Sequence, residues 1–217
     1  MTHKVAPSVL ASDFSRLDLA CELINESEAD WFHLDVMDGN FVPNISFGMP
    51  VIKALKKRAK KPFDVHLMII DPSRYIRDFK DAGADLLTVH YEASLHLHRS
   101  IQAIKDEGMK AGVAINPHTP VQLLEDTVDE LDLVCMMAVN PGFGGQQFIE
   151  HTFEKLKSLR KMIDRRGAST LIEIDGGVTS ENARKLVEHG ADVLVAGSHV
   201  FKAGNPQETI SRLKNLD

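Results

Sequence analysis

Two histidines and two carboxylates stand where strand geometry can bring them together. His33 and Asp35 are two apart in the apolar run 31–36, so an extended chain puts both on one face and Leu34 and Val36 on the other. His66 lies in the run 63–68, with Met68 on its face and Val65 and Leu67 opposite. Asp175 follows Glu173 at the same parity. Two imidazoles and two carboxylates at one mouth offer nitrogen and oxygen donors suited to a divalent transition metal such as Zn²⁺, Fe²⁺, Mn²⁺ or Co²⁺. Singly, each residue also reads as structure: a strand histidine packs, and a strand-end Asp caps the next helix. Jointly they are harder to explain that way, because a buried Asp is rarely left alone.

Three glycine clusters follow later runs: Gly142-Phe143-Gly144-Gly145, then Gly176-Gly177, then Gly197 with Ser198 beside it. Glycine lets the backbone approach a ligand and frees its N–H groups for an anion. Each cluster alone is turn chemistry. At adjacent strand ends they read as a phosphate grip built without Lys or Arg. Met37, Met68 and Met137 also fall at strand ends; each alone reads as core filler, and together they form an apolar lining that keeps water from a reactive intermediate. His90 is expected at the pocket rim, and Glu173 as a core hydrogen-bonding group deeper than Asp175. His96 and His98 read as solvated surface, while His3, His118, His151, His189 and His199 show no obvious partner.

Positioning these residues takes a repeated unit. Apolar, β-rich runs at 4–10, 31–36, 63–68, 86–90, 110–115, 133–139, 171–174 and 193–196 alternate with helix-compatible stretches. Segment 50–60 carries Val51, Ile52, Leu55 and Ala59 at helical spacing. Asp71-Pro72-Ser73 reads as a cap before a helix at 75–82, and 180–182 opens a helix that runs to His189 and stops at Gly190. The pentapeptides DAGAD (81–85) and EHGAD (188–192) are one structural unit reused. Eight such units in 217 residues predict an α/β protein, a single (β/α)₈ TIM barrel of parallel strands with its active site at the strand C-terminal ends. A doubly wound sheet normally has fewer strands and, for dinucleotides, an early GxGxxG, which is absent. No linker breaks the chain, so residues 1–217 are expected to form one domain.

Composition narrows the function classes. With 43% hydrophobic and 26% charged residues the chain reads as a soluble globular protein. The net charge of −6 and the lack of a basic stripe argue against nucleic acid; the one dense basic run, 56–61, reads as the polar end of a helix. Cys21 and Cys135 sit in apolar surroundings without a CxxC, which fits a reducing, cytoplasmic setting. The N-terminal segment reaches a charge too soon for a signal peptide, and no apolar run has the length of a membrane helix.

The motifs APSVLASDF (6–14), HLDVMDGNFVPNISFG (33–48), DVHLMI (64–69), VNPGFGGQQF (139–148), IDGGV (174–178) and VAGSHVF (195–201) resemble the ribulose-phosphate 3-epimerase family over essentially the whole chain. The resemblance implies a (β/α)₈ barrel, one divalent metal ion per subunit (Zn²⁺ foremost), and interconversion of D-ribulose 5-phosphate and D-xylulose 5-phosphate, a step of the pentose phosphate pathway. It implies that His33, Asp35, His66 and Asp175 are the metal ligands. Ser8, His66, residues 142–145, Asp175, Gly176, Gly177, Gly197 and Ser198 would contact substrate or phosphate. It also implies a homo-oligomer, dimer or hexamer. Ala138, Met49 and His199 depart from the family's usual Ser or Thr, Pro and Ala, and none is a proposed ligand.

Epimerisation beside a ketone removes a proton on one face and returns one on the other through a cis-enediolate. Asp35 and Asp175 are the expected pair, one ionised as base and one protonated as acid, exchanging roles in reverse. The second and seventh runs are expected to flank the first, setting Ser8 between the two carboxylates. A bound metal would act as Lewis acid on the carbonyl. The alternatives are a 3-epimerase for allulose 6-phosphate, a metal-dependent aldolase, and a non-catalytic sugar-phosphate binder. A Schiff-base enzyme is not expected, since no Lys stands at a strand end.

Overall fold

The alternation of apolar and polar parity is carried by eight parallel strands in a computed structural model, which describes residues 3–216. They are β1 (Lys4–Pro7), β2 (Phe32–Met37), β3 (Phe63–Met68), β4 (Leu86–His90), β5 (Lys110–Ile115), β6 (Leu133–Met137), β7 (Leu171–Asp175) and β8 (Val193–Ala196). Neighbours pair in sequence order, and β8 pairs with β1. The seam between β1 and β2 is joined by a parallel bridge from Ser8 to His33. The fold is thus one (β/α)₈ TIM barrel. β1 lies between β8 and β2, so the expectation that β7 flanks it fails: one strand intervenes.

Outward residues such as Leu34, Val65, Val89, Val113, Met136 and Ile174 share one buried core with the helices. Those helices are α1 (Leu17–Glu26), α2 (Met49–Lys56), α3 (Ile76–Ala82), α4 (Leu97–Asp106), α5 (Thr152–Arg166), α6 (Ala183–Glu188), α7 (Ser198–Phe201) and α8 (Pro206–Asn215). Two 3₁₀ turns, Val121–Leu124 and Val128–Glu130, stand where a helix would follow β5. Inward residues Ala6, Leu86, Ala114, Leu133, Cys135 and Val193 fill the barrel. Both cysteines are buried and free.

The repeated pentapeptide has a mechanical role. Its final Asp enters a strand and accepts an N–H from the preceding one. Phe63 N–H donates to Asp85 at 2.7 Å and Ile172 N–H to Asp192 at 2.7 Å. Asp30 and Asp132 do the same for Val5 and Ala111, at 2.8 and 2.9 Å. These four carboxylates fix the register at the N-terminal rim, far from the polar mouth.

Several boundaries differ from the sequence reading. β1 ends at Pro7 because Ala11 and Ser12 turn back to the carbonyls of Ser8 and Val9. β6 ends at Met137: Ala138 N–H makes the last ladder bond, to the Asp175 carbonyl at 2.7 Å, and the Ala138 carbonyl is taken by Ile149 N–H at 2.9 Å. α2 stops at Lys56, and Asn25 holds the following turn by donating to Arg58 O and accepting from Lys60 N–H. Asp71 accepts from the Ser73 hydroxyl and opens a 3₁₀ turn, Pro72–Tyr75, before α3.

Gly112 of β5 faces the barrel interior opposite Thr88. A Cβ there would stand 2.2 Å from Thr88 Oγ1 and 3.3 Å from its Cα. Overpacking of this kind costs about 1–3 kcal/mol. Gly112→Ala is therefore expected to lower the urea midpoint by that amount of stability, and an unchanged midpoint would show that the interior layer yields.

Candidate active site

The strand C-termini enclose a cavity of about 310 Å³. Asp35 and Asp175 line it, as do Met37, Met68 and Met137. Ser8, residues 142–145, Gly176, Gly177, Gly197 and Ser198 line it too. All residues singled out in the sequence for substrate or lining are therefore on its wall except His66, which lies with His33 beneath it without exposed surface. No Lys or Arg among the described residues lines the cavity.

β2 and β3 are paired in register, Asp35 beside His66, and this is what gathers the polar cluster. His33 Nε2 and His66 Nδ1 each lie 3.2 Å from Asp35 Oδ1, and 3.8 and 3.5 Å from Asp175 Oδ2. The four donor atoms lie within 4.8 Å of one another. Each carboxylate turns one oxygen to the histidine nitrogens. The other Asp35 oxygen, Oδ2, accepts the Ser8 hydroxyl at 2.5 Å, and Asp175, 13% exposed, opens to the cavity.

Electrostatics fit this arrangement. Burial disfavours charge on Asp35, but the charge of His33 and hydrogen bonds from His33 and His66 hold its carboxyl far below the usual range. Burial likewise opposes protonation of His33, yet Asp35, Asp64 and Glu173 raise it well above an ordinary imidazole. His66 is raised as well, against burial, by Asp175 and Asp35.

Three groups behind the cluster, two of them buried, escaped the sequence reading or were misplaced by it. Asp64 accepts from His33 Nδ1–H at 2.5 Å. It shares parity with His66, and that signal could have found it. His90 is buried beside His66, not at the rim: its Nε2 lies 2.9 Å from His66 Nε2, because the C-terminal residue of β4 points into the barrel. Burial pushes its pKa down to about 4. Glu92, beyond the strand end, has no periodic signal; it accepts from His90 Nδ1–H at 3.1 Å. Burial would raise Glu92, but donors from His90, Thr119 and Asn116 bring it down to about 2.

Glu173 is fully buried, as expected of a core group, and faces Asp64 and His33. Burial and the neighbouring Asp64 charge push it well above an ordinary carboxyl, so it is held neutral. His33, Asp64 and Glu173 are close enough to hold a cation by distance. However, Asp64 already takes the His33 N–H and Glu173 carries its proton, leaving that triad poorly suited to one.

Two side chains also missed in the sequence tie the glycine loop down. Asn44 Nδ2 donates to Gly142 O at 2.8 Å, and Gln146 Nε2 donates to Asn140 O and Phe143 O at 2.7 and 2.8 Å. Among the other histidines, His3 Nε2–H donates to Leu213 O at 2.7 Å, and His199 Nε2 accepts from Ser180 N–H at 3.1 Å. His98 meets Glu130 on the surface.

Fold and site define a (β/α)₈ barrel with a cluster of two histidines and two carboxylates at the strand C-termini and a cavity open above it. A model of the ribulose-phosphate 3 epimerase family matches residues 4–201. The chain belongs to that family and is an isomerase. It is 50% identical to ribulose-phosphate 3-epimerase of Bacillus subtilis (strain 168) over 97% of this chain and 98% of that one. It is 48% identical to the chloroplastic ribulose-5-phosphate-3-epimerase of Arabidopsis thaliana over 97% and 75%. With the Escherichia coli (strain K12) ribulose-phosphate 3-epimerase the identity is 42% over 98% and 95%. Among solved structures, KGPDC from Streptococcus mutans superposes with a TM-score of 0.75 at 14% identity, covering 100% of this chain and 97% of that one. A 3-hexulose-6-phosphate synthase gives 0.72 at 18%, covering 98% and 99%. At those identities the likeness bears on the fold alone.

Proposed function

We propose that this chain interconverts D-ribulose 5-phosphate and D-xylulose 5-phosphate by two-base proton transfer at C3. The observation that carries this reading is the pair Asp35 and Asp175, drawn from different strands, lining one cavity and each turning one oxygen to the same two histidines. The relatives' names support the five-carbon substrate.

The donor set fits a divalent ion. His33 Nδ1 is engaged by Asp64 and His66 Nε2 by His90, so Nε2 of the first and Nδ1 of the second are left for ligation beside Asp35 Oδ1 and Asp175 Oδ2. Nitrogen and carboxylate donors suit Zn²⁺ first, with Fe²⁺, Mn²⁺ and Co²⁺ as alternatives. When bound, the ion supplies Lewis-acid polarisation of the ketone.

The chain's own residues do the rest. One of Asp35 and Asp175 takes the C3 proton and the other returns one from the opposite face, their roles exchanging in reverse. Ser8, donating to Asp35, orients that carboxylate and touches the substrate. Met37, Met68 and Met137 exclude water above the centre. The backbone of 142–145, Gly176, Gly177 and Gly197, with the Ser198 hydroxyl, receives the phosphate. With no cation lining the cavity, backbone N–H groups are the donors on hand. His66, without exposed surface and with Nε2 engaged by His90, serves as a ligand and not as the substrate contact expected from the sequence. The protein works in the cytoplasm as one domain and as a homo-oligomer, dimer or hexamer. Among the described residues no helix is long and apolar enough to cross a membrane.

A coupled assay with D-ribulose 5-phosphate, repeated with allulose 6-phosphate, tests the substrate. Conversion is expected with kcat/KM at least about tenfold higher for the five-carbon sugar, because pocket contacts alone separate the two. No conversion by folded, metal-loaded protein sinks the proposal, and a preference for the six-carbon sugar reassigns it.

The phosphate end has its own test. Gly177 has φ +65°, and a Cβ there would lie 2.8 Å from both N and Cα of Phe148. Gly177→Ala adds about 1–3 kcal/mol of strain at that wall. KM for the sugar phosphate is expected to rise about 10–100-fold, with kcat nearly kept. An unchanged KM would remove this segment from the phosphate site.

A further inference from the structure

We propose that Glu92, acting through His90, is a positioning residue that fixes which nitrogen of His66 faces the metal site. The proposal rests on the reading of His66 as a metal ligand. The geometry admits one polarity. Glu92 Oε1 receives the backbone N–H of Asn116 at 2.8 Å and the Thr119 hydroxyl, and a backbone N–H can only donate. Glu92 is thereby an acceptor, and its Oε2 faces His90 Nδ1 at 3.1 Å. His90 must carry its proton on Nδ1. Its Nε2 is then a lone pair, and it lies 2.9 Å from His66 Nε2. That contact is a hydrogen bond only if His66 donates from Nε2, and so Nδ1 is the nitrogen left to turn toward Asp35 and Asp175.

The relay is held sterically as well. His90 has no exposed surface, its ring lies 25° from the plane of His66 at a centroid distance of 5.0 Å, and Phe41 covers it at 4.6 Å. His33 reaches the same end by a shorter route, through Asp64 directly. The two histidines therefore present different nitrogens, Nε2 and Nδ1, each set by a carboxylate on its far side, as metal-ligating histidines commonly are.

Glu92→Gln is the informative change. Whichever way its amide turns, an NH₂ group faces either His90 Nδ1–H or the Asn116 N–H. Reversing His90 relieves the first clash but sets His90 Nε2–H against His66 Nε2–H. The chain is satisfied throughout only when His66 moves its proton to Nδ1, which removes the ligating lone pair.

Two measurements on the full-length, metal-stripped protein test this. Long-range ¹H–¹⁵N correlation of the imidazoles is expected to show His90 as the Nδ1–H tautomer in the wild type. Titration with Mn²⁺ alone is expected to show Glu92→Gln binding at least about tenfold more weakly, within the 10–100-fold range typical of such outer partners. His90 found as the Nε2–H tautomer in the wild type overturns the relay, even if the variant fails to fold. A folded variant weakened less than tenfold also overturns it. A wild type that takes up no Mn²⁺ overturns the ligand reading itself, and the proposal with it.

Discussion

Exchanging Asp35 or Asp175 for Asn is expected to stop net epimerisation, lowering kcat by about 10³–10⁴-fold or more. General acid–base catalysis contributes about 10²–10⁴, and each carboxylate also belongs to the proposed ligand set. Asn keeps the size of Asp but neither takes a proton nor returns one at this position. The two variants should differ in a way that a merely damaged site would not. A single remaining base can still exchange the C3 hydrogen of the epimer that presents it. In D₂O, Asp35→Asn should wash solvent deuterium into one pentulose phosphate and Asp175→Asn into the other, while neither converts one to the other. Metal content measured on the same samples separates a lost base from a lost ligand. Near wild-type turnover in either variant would falsify the two-carboxylate scheme.

Removing the metal should have an effect of similar size. Dialysis against a chelator is expected to lower activity by more than about 100-fold, with return on adding Zn²⁺ or Fe²⁺, since Lewis-acid stabilisation is worth several kcal/mol. The pH dependence follows from the raised pKa values of His33 and His66. Protons compete with the ion for both imidazoles, so metal is expected to leave faster as pH falls. In the stripped protein the sign of the stability term is opposite. A histidine whose folded pKa is raised adds stability that is complete below its unfolded value and is lost as pH rises through the raised value. Loaded protein has metal in place of those protons. The gap in Tm between loaded and stripped protein should therefore widen with pH. Saturating metal at 1,000 times Kd would add about 4 kcal/mol. Full activity that ignores chelation would leave the four residues with acid–base and structural work only.

Much of this was legible in the chain because period-2 alternation is a local property. His33, Asp35, His66 and Asp175 lie at inward parity on β2, β3 and β7, and pairing in register makes parity sufficient to gather them. The same logic extended to Asp64, which shares the face of His66, and to His90, which was expected at the rim and is fully buried. Glu92 was not legible. It lies past the end of β4 and faces His90 only because the β5 end brings Asn116 and Thr119 to it. Strand ends were hard to read for a related reason. Ser8 and Ala138 belong to apolar runs and their N–H groups close the ladders, yet their carbonyls are taken by Ala11 and Ile149 as the chain turns away. The acidic residue ending the DAGAD and EHGAD repeats was visible as a pattern, but its work on a neighbouring strand's N–H needed the third dimension.

The pairing of β1 with β8 sets a schedule for synthesis. Lys4 pairs with Val193, and His3 holds Leu213 across 210 positions of sequence. At roughly 5–20 residues per second on the ribosome, the first strand waits roughly 10–40 s for its partner. During that interval β1 presents an open hydrogen-bonding edge, the kind of surface that recruits chaperones or other chains. Asp175 also arrives late, so a nascent chain displaying His33, Asp35 and His66 lacks its fourth donor. Ring closure and completion of the four-donor cluster thus wait until β7 and β8 have left the exit tunnel.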